Sequence, residues 1–171
     1  VYDWEAANHK HEDLRMAVYA AMIDSMDQNI GRLMKAIRAN KGGDNTLVLF
    51  LSDNGGCAEE PGGRSPKIVP GPKEFYAAVG PSWGWAQNSP FRRYKSWAHE
   101  GGIATPCIAW WPGRVPRGGI TGEVGHIIDF MPTFLELGDG SYPKEFKGNK
   151  IIPVEGKSLV SVLHGQTRKG H

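Results

Sequence analysis

Little in this 171-residue chain points to bulk electrostatics. Lysine and arginine total 20 against 18 acidic residues, a net charge of +2. No excess of one sign is present to drive binding to a nucleic acid or another polyanion. Long apolar runs are missing too. The longest clean one is Leu47–Leu51, far short of a membrane span. Cysteine is scarce: Cys57 and Cys107 cannot make a disulfide framework and leave the redox compartment open. The chain has no P-loop, dinucleotide fingerprint, CxxC pair, HExxH or GxSxG, so the local signatures of those chemistries are absent. Val1-Tyr2-Asp3-Trp4 has neither the basic start nor the apolar stretch of a signal peptide. Without an initiator methionine, the sequence is expected to start mid-gene.

What is present is an ordinary globular composition, 40% hydrophobic and 22% charged, which excludes wholesale disorder. Glycine and proline are abundant and unevenly placed. Residues 55–119 hold 12 of the 23 glycines and 9 of the 12 prolines. This stretch reads as a long loop-rich region between ordered elements, and loops of that length in compact domains are usually functional or disordered. Trp83, Trp85 and Trp97 argue for order.

The flanks are periodic. Met16, Tyr19, Ile23, Met26, Ile30, Leu33 and Ile37 recur at spacings of three and four, which predicts a helix over 12–40 with one apolar stripe. Asn40 and Gly42-Gly43 supply its stop. Residues 46–51 are a continuous apolar run without alternation, as in a strand buried on both faces of a parallel sheet. Ser52-Asp53-Asn54-Gly55-Gly56 ends it, and ligands in open parallel sheets bind beyond the carboxyl ends of strands. Residues 103–111 read as a second strand, bent at Pro106. Asp129 is a candidate N-cap for a short helix closed by Gly138, and a last helical turn is expected at 158–163, closed by Gly165.

Asp53 and Asn54 offer a carboxylate and an amide oxygen, the ligand chemistry of Ca²⁺ and Mg²⁺, although Asp-Asn-Gly-Gly is also favourable turn chemistry. Lys95 can hold an anionic oxygen as a point charge, with Arg92 and Arg93 adding to the field; a solvated basic loop is the plainer reading. His99 beside Glu100 is expected to be a structural pair, with Glu100 tying down the loop through backbone donors. His9 and His11 are weak metal candidates. His126 and His164 lie on apolar elements and read as packing residues. Neither cysteine has a base nearby in sequence, so both read as inert or incidentally paired thiols. Trp85 and Asn88 are candidates to line or cover a site.

These motifs together resemble a family. Thr46-Leu47-Val48-Leu49-Phe50-Leu51-Ser52-Asp53-Asn54-Gly55-Gly56 closely resembles the metal-binding strand end of type I sulfatases. Lys95-Ser96-Trp97-Ala98-His99-Glu100-Gly101-Gly102-Ile103, with Trp111-Pro112-Gly113 after it, resembles the segment carrying the substrate lysine. Residues 19–27 and 31–33, Ile128-Asp129-Phe130-Met131-Pro132-Thr133 and Glu155-Gly156-Lys157-Ser158-Leu159 resemble the flanking segments. The markers run in the family's order across nearly the whole chain and are most like bacterial arylsulfatases.

The resemblance implies an α/β fold: part of an alkaline-phosphatase-like sandwich with a mostly parallel central sheet flanked by helices. It implies one piece of a sulfatase catalytic domain over 1–171. Residues 12–40 would be a helix, 46–56 the metal-binding strand end, 57–102 a long active-site loop, and 103–171 a strand, helices and turns. It implies hydrolysis of sulfate esters, with Asp53 and Asn54 as calcium ligands and Lys95 as the catalytic, substrate-binding lysine. The substrate would be a sulfated small molecule or glycan, and the location periplasmic or secreted. The family's nucleophile is a formylglycine made from the first residue of Cys/Ser-x-Pro/Ala-x-Arg. Neither Cys57-Ala58-Glu59-Glu60-Pro61 nor Cys107-Ile108-Ala109-Trp110-Trp111 fits that pattern. The acidic pair that completes the calcium site, the motif arginine, the lysine-histidine pair and the second active-site histidine are also missing. The chain is therefore expected to be an internal or C-proximal fragment, inactive alone. Alternatives are a phosphodiesterase or phosphonate hydrolase of the same superfamily, and a non-catalytic relative that binds sulfated glycans through Lys95, Arg92 and Arg93.

Overall fold

The computed structural model describes residues 8–60, 65 and 67–171. The readings made on Val1–Trp4, and on Pro61 within the long loop, lie outside the described residues. The chain divides into two compact units: residues up to Gly43 with Leu49–Ile108, and Asp44–Val48 with Ala109–His171.

The first unit opens with α1, His9–Ala39, three residues earlier than the apolar stripe predicts. The extension comes from the cap: the Asn8 side chain accepts from the His11 backbone N–H, satisfying a donor that the helix start leaves open. The stripe forms as a stripe, but much of it stays open. Ile23 and Met26 are each 45% exposed and Leu33 is 59% exposed. Only its first turns are well covered. There Trp83 Nε1 donates to the Glu12 carbonyl at 3.1 Å and Arg15 donates to Glu60 at 2.8 Å. Arg15 is thus a buried cation paired with a carboxylate from the loop, the arrangement that burial of a charge demands.

Strand β1, Val48–Leu51, pairs with β2, Cys107–Trp110. The expectation that β1 is buried on both faces does not hold, since Phe50 is 41% exposed, and Ile108 on β2 is 61% exposed. A two-stranded sheet gives each strand one hydrogen-bonded neighbour and leaves a face open wherever no helix lies over it.

The Gly/Pro-rich middle is not all loop. It contains α2, Gly80–Gln87, and α3, Glu100–Ile103. Their glycines hide them from propensity rules, but two of those glycines are needed where they stand. Gly80 has φ +79°, and a Cβ there would meet the Glu60 carboxylate at 2.7 Å. A Cβ on Gly84 would meet the Ala58 methyl at 2.8 Å.

In the second unit, α4, Phe130–Leu137, follows a 3₁₀ turn at Ile127–Asp129. A hairpin joins β3, Glu145–Phe146, to β4, Asn149–Lys150, antiparallel. Its two turn residues, Lys147 (φ 49°) and Gly148 (φ 77°), both sit in the left-handed region, as a type I′ turn requires. Helix α5 is Val160–Leu163 and closes on Gly165 at φ 77°, as the sequence predicts.

Asp129 corrects the expected N-cap. Its side chain does not cap α4. Instead it accepts from the His126 backbone N–H at 2.9 Å, within a capping box on the preceding 3₁₀ turn. It also accepts from Lys157 N at 2.8 Å, Arg168 Nη2 at 2.6 Å and His171 Nε2 at 2.7 Å. His126 and His164 are exposed, not packed. His126 has a local task, accepting from the Ile128 backbone N–H through Nδ1. The small surface of these short elements leaves no core deep enough to cover either ring.

Candidate active site

The first unit brings the Asp53-Asn54 turn against the Lys95 loop. Three bonds join the two segments. Gly55 N donates to Gly102 O at 3.0 Å, Lys95 N to Gly56 O at 3.1 Å, and Ser52 N to the Thr105 hydroxyl at 3.3 Å. The approach is so close that a Cβ on Gly55 would lie 1.8 Å from the Gly101 carbonyl oxygen. A Cβ on Gly101 would in turn lie 2.1 Å from Arg93 O. Glycine at both positions is a packing requirement, because any side chain would force the backbones apart.

Asp53 is exposed and Asn54 is half-buried. The Asn54 amide nitrogen donates to Gly55 O at 3.0 Å. Gly56 N is taken by Asn88 Oδ1 at 2.9 Å, and Asn88 Nδ2 donates to Gly84 O at 2.5 Å. Asn88 is buried and holds the turn from behind, so it is a clamp and not a lining residue. Trp85 is 45% exposed and packs edge-on to Tyr94 at 6.2 Å between ring centroids.

Lys95 sits between two non-glycine residues with left-handed backbone, Arg93 (φ 69°) and Ser96 (φ 76°). Such conformations cost free energy and persist only where surrounding contacts impose them. Here the contacts are visible. Gly101 N donates to Arg92 O at 2.9 Å, and the Arg93 guanidinium lies 4.3 Å from the Trp97 ring centroid and 5.7 Å from that of Trp85. The Arg93 guanidinium is therefore engaged with two indoles. His99 stacks on Trp97 at 6.2 Å and stands at the N-cap of α3. Glu100 contributes to the loop through its carbonyl, which accepts from Ala104 N at 2.8 Å, and not through backbone donors to its carboxylate.

The sequence reading missed Glu59. One carboxylate oxygen accepts from Lys95 Nζ at 3.0 Å and the other from Ser96 Oγ at 3.1 Å. The Lys95 bond and charge hold the Glu59 carboxyl below the usual carboxylate range, with Ser96 adding to the effect. In return Glu59 raises Lys95 above the ordinary lysine value, and the nearby Asp53 carboxylate pushes the same way. The ammonium form is thus reinforced. Cys57 is half-buried and its thiol faces Glu59 Oε2 at 3.6 Å. Cys57 and Glu59 also line a pocket of about 210 Å³ with Tyr19, Met22, Tyr76 and Gln87. Cys107 is a free, exposed thiol on β2, and desolvation raises it, the reverse of what an activated thiolate needs. Among the described residues no group of three or more His, Cys, Asp or Glu could hold a metal. His9 and His11 therefore do not form part of such a cluster, and Asp53 and Asn54 stand side by side as a carboxylate and an amide just beyond the end of β1.

The family model for sulfatases matches residues 2–141. The chain belongs to the sulfatase family. Similar proteins include an uncharacterized sulfatase of Schizosaccharomyces pombe, 32% identical over 88% of this chain and 30% of its own length. An arylsulfatase of Klebsiella aerogenes is 30% identical over 97% of this chain and 39% of its own. Among solved structures, that of Ps i-CgsB in complex with k-i-k-neocarrahexaose superposes with a TM-score of 0.62 at 25% identity, covering 87% of this chain and 27% of that one. This sulfatase chain thus has an α/β sulfatase-like fold and spans less than two fifths of the length of these relatives. No helix among the described residues is long and apolar enough to cross a membrane.

Proposed function

We propose that these residues form the lysine side, and part of the metal side, of a sulfuric ester hydrolase active site, arylsulfatase-like and acting on a sulfated small molecule or glycan. The observation that carries this is the joining of the Asp53-Asn54 turn to the Lys95 loop by Gly55–Gly102 and Lys95–Gly56. Two sulfatase-like segments 42 residues apart, counted from Asp53 to Lys95, thereby become one surface.

The donor set fits a hard cation such as calcium. Asp53 gives a carboxylate, and Asn54 gives an amide oxygen whose amide nitrogen is already bonded to Gly55. A bound calcium would supply Lewis-acid neutralisation of the sulfate oxygens. Its remaining ligands, and a formylglycine nucleophile, would come from parts of the enzyme that these 171 residues do not include. The chain's own part is electrostatic. The Lys95 ammonium holds a sulfate or bridging ester oxygen and stabilises the negative charge that grows on it as the S–O bond breaks. The rigid glycine contacts fix Lys95 relative to Asp53 and Asn54, so that little reorganisation accompanies the reaction.

On this reading β1 and β2 belong to a mostly parallel central sheet, residues 1–171 to a single catalytic domain, and the enzyme to the periplasm or the secreted fraction. The test is hydrolysis of a chromogenic aryl sulfate by the full-length enzyme. Lys95→Ala should lower kcat/KM on the order of 10²–10³-fold, the usual effect of removing one transition-state charge partner. Unchanged kcat/KM would remove Lys95 from the site.

A further inference from the structure

We infer that Glu59 is a positioning residue for Lys95: a two-oxygen clamp that sets where the ammonium points when it meets the sulfate group. This rests on the reading of Lys95 given above. Its own support is geometric. The two Glu59 oxygens are split between consecutive residues, Oε2 to Lys95 Nζ at 3.0 Å and Oε1 to Ser96 Oγ at 3.1 Å. Ser96 is one of the two left-handed non-glycine residues of the loop, so the carboxylate stabilises both a strained backbone and the side chain beside it. The backbone closes the same ring, since Lys95 N donates to Gly56 O three residues before Glu59.

The clamp is not a structural ion pair of the core. The side chains of Lys95 and Glu59 remain 35% and 52% exposed, where an ion pair adds little to folding stability. A long lysine side chain otherwise samples many rotamers. Fixing it while leaving two N–H bonds of the ammonium unused by Glu59 is the arrangement expected of a group that must also bind an anion. The electrostatics agree. Glu59 keeps Lys95 protonated to higher pH than an isolated lysine, and Lys95 keeps Glu59 ionised.

The experiment uses the full-length enzyme, a chromogenic aryl sulfate, and the variants Glu59→Gln, Glu59→Asp, Lys95→Ala and Glu59→Gln/Lys95→Ala. Glu59→Gln should lower kcat on the order of tenfold with a smaller change in KM. It should also move the alkaline limb of the kcat/KM profile to lower pH, because Lys95 then loses the group that raises it. Glu59→Asp, which keeps the charge on a shorter arm, should recover part of kcat and most of the limb. The double variant should be no slower than Lys95→Ala alone. Glu59 is exposed, so the Gln variant should fold as the wild type does, and Ser96→Ala, which removes the other half of the clamp, should give a smaller kcat loss with the limb unmoved.

If Lys95→Ala is impaired but Glu59→Gln keeps wild-type kcat and limb, the clamp is refuted and the Lys95 reading stands. Multiplicative losses in the double variant also refute it. Tighter inhibition by inorganic sulfate in Glu59→Gln, with kcat undiminished, would make Glu59 a competitor of the substrate and not its aid. If Lys95→Ala itself retains full activity, both readings fall.

Discussion

Replacing Asp129 with asparagine is the most informative test of how the second unit holds together. Asp129 is fully buried, at 0% exposure, and its Arg168 partner is 7% exposed at the side chain. Burial alone would drive the carboxyl up. The backbone N–H groups of Lys157 and His126, then Arg168 and His171, outweigh it and bring the value from 3.8 down to about 2. A depression of this size corresponds to about 2 kcal/mol in favour of the ionised form in the folded state. The sign follows from linkage. The folded value lies below the unfolded one, so the contribution is fully present above about pH 4 and is lost as pH falls toward 2.

Asparagine keeps the shape but removes the charge, and turns one acceptor into a donor facing other donors. Breaking a buried pair from one side costs about 3–5 kcal/mol. Arg168 also donates to Lys157 O and to Val124 O, each at 2.8 Å, which retains part of its hydrogen bonding and places the cost at the lower end, about 3 kcal/mol. Native-state hydrogen exchange at the Lys157 amide, which donates to Asp129, reads this locally. Protection there should fall on the order of 100-fold at neutral pH. Urea titrations at pH 7 and pH 3 should show the wild-type chain losing stability that Asp129→Asn never had. A protection change under threefold, with an unchanged pH dependence, would refute the buried-hub account.

Other consequences are simpler to state. Asn88→Ala removes the acceptor for Gly56 N and the donor to Gly84 O, and should destabilise the chain by about 2 kcal/mol in urea unfolding. Gly55→Ala places a methyl into Gly101 O; it should cost at least about 1–3 kcal/mol and lower calcium affinity with it, measured by melting with and without the ion. If, as proposed, a formylglycine from the rest of the enzyme is the nucleophile, the 171-residue chain alone should show no turnover of an aryl sulfate; measurable turnover would overturn that.

Elements built on local rules were legible in the sequence. The period of α1, its stop at Asn40, the strand ending just before Asp53-Asn54 and the glycine close of α5 each depend on neighbours a few residues away. Helix α2 was not legible, because Gly80 and Gly84 count against a helix. They are there for reasons 20 or more residues distant, the Glu60 carboxylate and the Ala58 methyl. Glu59 was not legible either. In Cys57-Ala58-Glu59-Glu60 it is one acid of two, and only the fold shows that Glu59 meets Lys95 while Glu60 meets Arg15. Asp129 falls at the start of α4 as expected, but its side chain caps the preceding 3₁₀ turn instead, and its Arg168 and His171 partners lie about 40 residues on, beyond the reach of a local rule. Asp53, Asn54 and Lys95 were singled out by residue type and by family resemblance, and the fold adds the contacts between their segments.

The central claim is that Asp53 and Asn54 hold a calcium ion beside Lys95. Calorimetric titration of calcium into the full-length enzyme, wild type against Asp53→Ala, tests it most directly. The wild type should bind one calcium and the variant none over the same concentration range, with both proteins folded by circular dichroism. Equal calcium binding by the two proteins would contradict it.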